Sequence, residues 1–233
     1  MLHSIKDLGG YTIEALDGHI GKPYEFCFND QTWALRYAVV ETGDWLLGNK
    51  VLISMDQFGP LAPSKREFPL TLTFQQVQES PSIETDKPVY LQRQNGVYDY
   101  LSWGGEAHMS GTWLISPLAA QLIDAAEEER AQERESYNPH LRSTRVVTGY
   151  HIDATDGEIG HVEDFIVDDQ TWQIGYIVID THNWLPGKKV MIAPKWIVKV
   201  RWPEKKVYVA LQRQTIENSP EFDLESLRRD SMR

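Results

Sequence analysis

Short apolar runs separated by turn residues recur along most of the chain, and they predict a mainly β protein. In the C-terminal half, residues 161–167 and 173–181 are rich in Val, Ile, Phe and Tyr, the residue types that strands favour. Residues 188–193, 196–202 and 206–211 supply three further strand candidates. Because about six short strands in so few residues leave exposed edges unless the sheet closes, the pattern favours a small barrel.

The same pattern occurs twice in the chain. At an offset of 139 positions, residues 10–53 align without a gap on residues 149–192, and 22 of these 44 aligned pairs are identical. The segment Asp-Gln-Thr-Trp, for example, stands at 30–33 and again at 169–172. Self-similarity of this extent indicates a duplicated module. We therefore predict two barrels with the same strand order that pack against each other about a pseudo-two-fold axis.

Glycines at equivalent positions predict the local geometry of each copy. The Asp-Gly pairs at 17–18 and 156–157 are typical of type I′ hairpin turns, because glycine adopts the positive φ that this turn requires. Gly21 and Gly160 follow three residues later and predict a bulge or a close approach of two backbones.

The segment between the two copies follows neither the repeat nor the β pattern. Residues 86–116 hold five tyrosines and tryptophans among turn signals, and a helix is predicted over about 117–136, with Ser116 as its N-cap and Pro117 in its first turn. The aromatic residues either pack this connector against a barrel or form a surface for a partner, since Trp and Tyr are enriched at interfaces. The candidate partner surface comprises Tyr98, Tyr100, Trp103 and Trp113, together with the repeated loop residues Trp45 and Trp184.

Both copies resemble the PRC-barrel family, which is named for the cytoplasmic domain of the photosynthetic reaction-centre H subunit. The resemblance is carried by residues 150–157, by 184–190 and by the ending at 216–222, and it looks especially close to bacterial stand-alone members. It implies a mainly β fold of two tandem small antiparallel β-barrels joined by an aromatic loop and one α-helix. The implied organisation is a first barrel (1–85), a connector (86–141), a second barrel (142–224) and a C-terminal tail (225–233).

The formal net charge of −11 bears on the partners of the chain. Phosphate backbones are bound chiefly by Lys and Arg, so broad nucleic-acid binding is not expected. The nearest approach to a basic strip is interpreted as the solvated face of two strands; it consists of Lys195, Lys199, Arg201, Lys205 and Lys206.

No motif of a catalytic, cofactor or metal site is present in the sequence. There is no nucleophile elbow, phosphate loop, dinucleotide fingerprint or His-Glu-x-x-His zinc motif, so we predict no catalytic residue, no cofactor and no metal ligand.

The histidines are interpreted as surface or turn residues. Cys27 aligns with Ile166 and is predicted to be a small buried apolar residue. Trp33 and Trp172, each at the start of a strand, are predicted to be mostly buried. Carboxylates cluster in the second copy and are interpreted as a solvated acidic rim, although such oxygen-rich clusters can bind Ca²⁺ or Mg²⁺; they are Asp153, Asp156, Glu158, Glu163, Asp164, Asp168 and Asp169.

These observations predict a non-enzymatic, soluble scaffold or adaptor that binds a protein partner or associates with itself. A single cysteine and an N-terminus without a signal-peptide pattern predict a cytoplasmic location, and no segment is long and apolar enough to span a bilayer. The alternative, drawn from the reaction-centre subunit, is a peripheral membrane protein or an assembly factor for a photosynthetic electron-transfer complex.

Overall fold

The computed structural model describes residues 1–42, 50–80, 140–181, 188–219 and 221–223. Within these ranges the chain is mainly β, as predicted. The strands of the N-terminal half are β1 (Leu2–Ser4), β2 (Thr12–Ala15), β3 (Gly18–Asn29), β4 (Leu35–Thr42), β5 (Lys50–Ser54) and β6 (Glu67–Pro69). Those of the C-terminal half are β7 (Leu141–Ser143), β8 (His151–Ala154), β9 (Gly157–Asp168), β10 (Ile174–Asp180), β11 (Lys189–Ile192), β12 (Ile197–Arg201) and β13 (Lys206–Val209). Short helices are α1 (Ile5–Leu8), α2 (Phe74–Gln78), α3 (Thr144–Val147) and α4 (Arg213–Glu217).

The strands form two mixed sheets. The first runs in the order β5-β4-β3-β2-β6, and the second in the order β11-β10-β9-β8-β13-β12. Neighbouring strands are antiparallel except for β2 with β6 and β8 with β13, which are parallel. The prediction of wholly antiparallel sheets is therefore wrong at these two pairs. The two strands of each parallel pair are separated along the chain by other strands and are not connected by a hairpin. Their connection therefore does not require antiparallel pairing.

The two sheets have equivalent strand orders. At the 139-residue offset, β2 to β6 correspond to β8, β9, β10, β11 and β13, which confirms the predicted common order for the described residues. Strand β12 is the difference, because the first copy has only the isolated bridges Phe58–Leu70 and Ala62–Glu67 in its place. Within the described residues, no ladder joins β5 to β6 or β11 to β12, so each sheet is observed as an open path and barrel closure stays a prediction.

Each sheet takes one short strand from the opposite half of the chain. Strand β1 pairs with β9 through Leu2↔Asp168 and Ser4↔Ile166, while β7 pairs with β3 in the equivalent register. The two pairings, β1 with β9 and β7 with β3, are equivalent at the 139-residue offset, as expected for two copies related by a pseudo-two-fold axis. The prediction that the two copies do not behave as independent bodies is confirmed.

The hydrophobic core is continuous between the two copies. One cluster of buried residues draws members from both halves, and Phe68 of the first half packs on Trp172 of the second, with ring centroids 5.3 Å apart. Trp172 is buried, with 9% of its surface exposed, whereas Trp33 is half-buried and stacks on Phe28 at 5.3 Å. The predicted burial is thus confirmed for Trp172 and met only in part by Trp33. Cys27 is fully buried, as predicted.

The predicted glycine geometry is correct at one position of each copy and wrong at the other. Gly160 has a φ of +152°, and a Cβ there would lie 2.0 Å from the carbonyl oxygen of Asp180, which confirms the predicted close approach; Gly21 is equivalent. The type I′ prediction is wrong, because Gly18 begins β3 and the central turn residues, 16 and 17, do not have positive φ. Asp17 instead accepts a hydrogen bond from the backbone N–H of Phe74 at the start of α2 (2.9 Å), which fixes the turn.

The predicted connector lies outside the described residues, apart from its last two positions. The aromatic loop and the helix expected over 117–136 therefore stay predictions, as do the domain boundaries placed around them. Among the helices that the structure describes, none has the length and apolar character needed to cross a bilayer.

Candidate functional site

The predicted partner surface cannot be located in this structure. Tyr98, Tyr100, Trp103, Trp113, Trp45 and Trp184 all lie outside the described residues. The described residues offer three other places at which charge or apolar surface gathers: the seam between the repeats, the acidic residues of the second copy and the outer edge of β12.

Two buried carboxylates lie at the seam between the repeats. The hydroxyl of Ser4 donates to Asp164, and that of Ser143 donates to Glu25, so each donor comes from the opposite half of the chain. Both carboxylate residues are at most 6% exposed. Burial raises the pKa of the Asp164 carboxyl, and the hydrogen bonds from Ser4 and from the backbone N–H groups of Phe165 and Lys6 only partly oppose this. These carboxylates join the two halves of the fold.

A cavity of about 380 Å³ lies on the same seam, between α1 and α3. Lys6 and Arg145 occupy equivalent positions on its rim, and the two buried carboxylates form part of its wall. The guanidinium of Arg145 lies 4.4 Å from the ring centroid of Tyr24, and the ammonium of Lys6 is 2.8 Å from the carboxylate of Glu163. Because these charged groups are already engaged by neighbours in the fold, the cavity is a structural part of the seam.

The acidic residues of the second copy do not form a common site. Asp153 pairs with Lys206 (2.9 Å), Glu158 with His151 (2.9 Å), and Asp156 accepts from the backbone N–H of Arg213 (2.8 Å). Glu163 pairs with Lys6 and Lys189, and Asp164 accepts from the Ser4 hydroxyl and from the backbone N–H groups of Lys6 and Phe165. Asp168 accepts from backbone N–H groups in the turn after β9, Asp169 pairs with His3, and the N-terminal ammonium of Met1 pairs with both. The interpretation as a solvated rim is therefore wrong for Asp164, which is buried; apart from Asp168 and Asp169, which share the Met1 ammonium, these residues have separate partners.

One group of potential metal ligands occurs among the described residues. His161, Glu163 and Asp180 can bring one ligand atom each within 4.8 Å of one another. Burial acts to raise the pKa of Glu163, but hydrogen bonds from Lys189 and Lys6 outweigh it and lower the pKa below its usual range. Two ammonium groups thus occupy the position next to Glu163 that a cation would take. This group is consistent with the prediction of no metal ligand and does not test it.

The outer edge of β12 combines exposed apolar side chains with basic ones. Trp196 is 42% exposed and Val198 is 65% exposed, and both stand among the cations of residues 195–206. Lys199 and Arg201 lie over the ring of Tyr208 in β13, with the charged groups 4.7 and 5.7 Å from its centroid. The interpretation of this strip as the face of two strands is confirmed for Lys199, Arg201 and Lys206, whereas Lys195 and Lys205 lie in the turns that flank β12. The structure adds the exposed Trp and Val, which the strip was not expected to include.

The first copy lacks this combination. Residues 195–206 carry five cations and one acid, whereas the aligned residues 56–67 carry two of each. Gln57 and Gly59 stand where the second copy has Trp196 and Val198. The signal was present in the sequence, since a comparison of the two copies position by position shows where they diverge in charge.

His3 is the other residue that the sequence did not indicate. It is fully buried, not at the surface, and its Nε2 lies 3.0 Å from Asp169. At the equivalent place in the other half, the guanidinium of Arg142 donates to Asp30 at 2.7 Å. The match of Leu2 and Ser4 with Leu141 and Ser143 would have extended the repeat to this exchanged strand.

Comparison of the sequence with protein-family models and with curated proteins finds no match.

Proposed function

We propose that this chain is a non-enzymatic scaffold or adaptor, built from two tandem PRC-type barrels, that binds a protein partner or a second copy of itself. One observation carries the proposal: the two sheets share the same strand order, but their edges differ in exposed charge and apolar surface. The buried carboxyl groups of Asp164 and Glu25 accept hydrogen bonds across the seam, whereas among the described residues the exposed charge and apolar surface gather at the edge of the second sheet.

The barrel assignment is supported by the resemblance of both copies to the PRC-barrel family and by the strand order that the two sheets share. In the described residues the second sheet is an open path that ends at β12, and the barrel proposed here keeps that edge unpaired. A cytoplasmic location is proposed on the single, buried Cys27, which suits a reducing compartment.

Size-exclusion chromatography with light scattering tests self-association, and affinity capture from native lysate followed by mass spectrometry tests partner binding. The full chain should form a complex that a variant with Tyr98, Tyr100, Trp103 and Trp113 replaced by Ser does not form. The matched control replaces exposed residues of α2, Gln75 and Gln78, with Ser. A chain that is monomeric at all concentrations and retains no protein reproducibly would contradict the proposal.

A second candidate function, contact with an anionic membrane as a peripheral protein or photosynthetic assembly factor, is favoured by one observation. The edge of β12 presents Trp196 beside several lysines, and aromatic and basic residues together favour lipid headgroups. Co-sedimentation with vesicles of phosphatidylserine and phosphatidylcholine tests it. Binding that depends on phosphatidylserine and disappears at high salt supports this function, and protein left in the supernatant at low salt contradicts it.

A further inference from the structure

We propose that the outer edge of β12 binds an extended acidic segment of a partner protein, which adds to the second sheet as one more strand. The inference rests on the adaptor function proposed above and names the chemistry of the partner. We call this surface, formed by β12 with Lys195, Trp196 and Lys205, the basic edge.

Within the described residues, one side of the β12 backbone is unpaired. The strand pairs with β13 from Ile197↔Val209 to Arg201↔Lys206, and no strand in the described part of the chain pairs with its other side. An unpaired strand presents a row of N–H and C=O groups that can form a ladder with an extended peptide. The hydrogen bonds of that ladder are independent of the peptide's sequence, so selectivity has to come from side chains.

The side chains of the basic edge select for acidic residues. None of the described acids forms an ion pair with Lys195, Lys199 or Lys205, whereas Arg201 is paired with Glu204 and Lys206 with Asp153. Among the described residues, three ammonium groups in and beside β12 are therefore left without a carboxylate partner, although the net charge of the chain is −11. Since the Debye length is about 8 Å at physiological ionic strength, a bound peptide experiences this local charge more than the distant acids.

Apolar contacts complete the surface. Val198 lies where the register of β12 with β13 shifts between Ile197 and Lys199, and this irregularity leaves its side chain 65% exposed. Trp196 immediately precedes it. Val198 and Lys199 are both exposed, whereas Ile197 and Val200 pack against the core. The apolar side chains of a peptide that alternates acidic and apolar residues would therefore lie on the core side with Ile197 and Val200, and its carboxylates would lie on the exposed side with Lys199.

The first copy provides an internal comparison. At the positions equivalent to Lys199 and Trp202 it has Pro60 and Pro63, which lack the N–H that a ladder requires. In the described part of the first copy, only the isolated bridges Phe58–Leu70 and Ala62–Glu67 stand in place of β12, and the first sheet ends at β6. The basic edge is therefore a feature that the second copy does not share with the first.

The observations favour a peptide over a membrane. A membrane presents an extended anionic plane to a whole face of the protein, so the net charge of −11 opposes its approach. A peptide strand touches only the edge itself. The free backbone of β12 would also contribute to peptide binding and would contribute nothing to lipid binding.

The test uses the full chain and the capped peptide acetyl-(Val-Glu)5-amide, with binding followed by NMR shifts of backbone amides and by fluorescence anisotropy of a labelled form. We expect shifts centred on residues 196–202 and an affinity that falls with added salt. The double variant Lys195→Glu/Lys199→Glu should bind at least ten-fold more weakly. Arg36→Glu, a charge reversal at an exposed residue of β4, should bind as the wild type does.

A second comparison isolates the backbone ladder. Two versions of the peptide are N-methylated at alternate residues, one at the valines and one at the glutamates. Because alternate N–H groups of a strand point to opposite sides, one version should lose binding and the other should keep it. Equal effects of the two versions would overturn strand addition.

Other occupants of the basic edge give distinct results that overturn the inference. Wild-type chain that binds phosphatidylserine vesicles but not the peptide assigns the edge to a membrane. A concentration-dependent dimer abolished by Lys195→Glu/Lys199→Glu assigns it to a second copy. Peptide binding that appears only after residues Glu127, Glu128, Glu129, Glu133 and Glu135 are replaced by Gln assigns it to the chain's own acidic segment. If the peptide fails to bind while the aromatic connector still supports a complex, this inference falls and the proposed adaptor function stands.

Discussion

The hydroxyl of Ser4 donates a hydrogen bond to the buried carboxylate of Asp164, a residue 160 positions further along the chain. The equivalent pair, Ser143 and Glu25, runs in the opposite direction between the same two halves. Since each hydroxyl is carried by an exchanged strand, the hydrogen bond is formed only when β1 and β7 have crossed to the other sheet. Neither half completes its own structure.

Ser4→Ala should lower the free energy of unfolding by about 1–3 kcal/mol, because it leaves a buried carboxylate without one of its donors. Urea denaturation at neutral pH measures the change. Ser64→Ala is the control: Ser64 is exposed and forms no hydrogen bond that the structure describes, so its replacement should fall within about 0.5 kcal/mol of the wild type. Equal midpoints for all three proteins would show that the Ser4 hydroxyl does not stabilise the seam.

Asp164 should make the stability of the protein depend on pH. Its pKa in the folded state is raised above the ordinary 3.8, so folding favours the protonated form. The stabilisation from this group is full below pH 3.8 and is lost as the pH rises through the raised folded-state pKa. The variant Asp164→Asn does not titrate and should not show this loss.

The measurement is the free energy of unfolding of both proteins from below pH 3.8 to pH 7. The difference between variant and wild type should move in favour of the variant as the pH rises. Glu163, whose pKa is shifted in the opposite direction, is present in both proteins and cancels in the difference. A constant difference across the range would contradict the assignment.

Residues 140–223 produced alone should form a symmetric homodimer. The isolated second half lacks β1 but keeps β7, whose Leu141 and Ser143 match Leu2 and Ser4. We expect β7 of each subunit to pair with residues 166–168 of the other, as β1 does in the intact chain. Light scattering gives the mass, and Ser143→Pro, which disrupts this short strand, should yield monomers of reduced stability. A well-folded monomer of residues 140–223 would show that the exchange is dispensable.

Gly160→Ala should destabilise the protein by a few kcal/mol, since a Cβ 2.0 Å from the carbonyl oxygen of Asp180 cannot be accommodated without moving β9 from β10. Gly175→Ala is the matched control in β10, where the nearest atom would lie 3.9 Å from the new Cβ. Thermal unfolding compares the two. A melting temperature lowered equally by both would mean that the close approach at Gly160 relaxes freely.

Trp172→Ala should cost about 3–5 kcal/mol, as truncation of large buried aromatic residues does. Trp33→Ala should cost less, because Trp33 is half-buried although it occupies the equivalent position. Both variants keep the backbone bonds from Leu35 N–H to the Trp172 carbonyl and from Ile174 N–H to the Trp33 carbonyl, each 2.8 Å. Chemical denaturation distinguishes the two losses, and a midpoint unaffected by Trp172→Ala would refute its place in the core.

The equivalence of the two strand orders was predictable because the same pattern is present twice, and the close approach at Gly160 was predictable from its local pattern. The exchange of β1 and β7 was not predicted. A strand of three residues carries no periodicity, and Leu2 to Ser4 could pair equally well with either long strand as far as its sequence shows. The choice depends on tertiary packing and on buried partners such as Asp164.

The prediction of a type I′ turn at Asp17 was wrong for a different reason. Asp-Gly is a strong hairpin signal, but the two central residues of this turn are Leu16 and Asp17, and Gly18 is the first residue of β3. Asp17 accepts a hydrogen bond from the backbone N–H of Phe74, a contact 57 positions away that the local pattern does not indicate. The basic edge was visible as a run of charges, yet its exposure depends on β12 being the last strand of its sheet. The sequence pattern does not indicate which strand lies at the end of a sheet.

The reciprocal exchange of β1 and β7 joins the two repeats in the way that a strand-swapped homodimer joins its subunits, but here both repeats belong to one chain. In a homodimer encoded by one gene, every substitution appears on both sides, and a binding edge is either present twice or absent. Joining the subunits removes that constraint. The first copy has Pro60 and Pro63 where the second has Lys199 and Trp202, and both copies keep the exchanged strands. A symmetric assembly carries each edge twice, whereas this chain carries the basic edge once among its described residues.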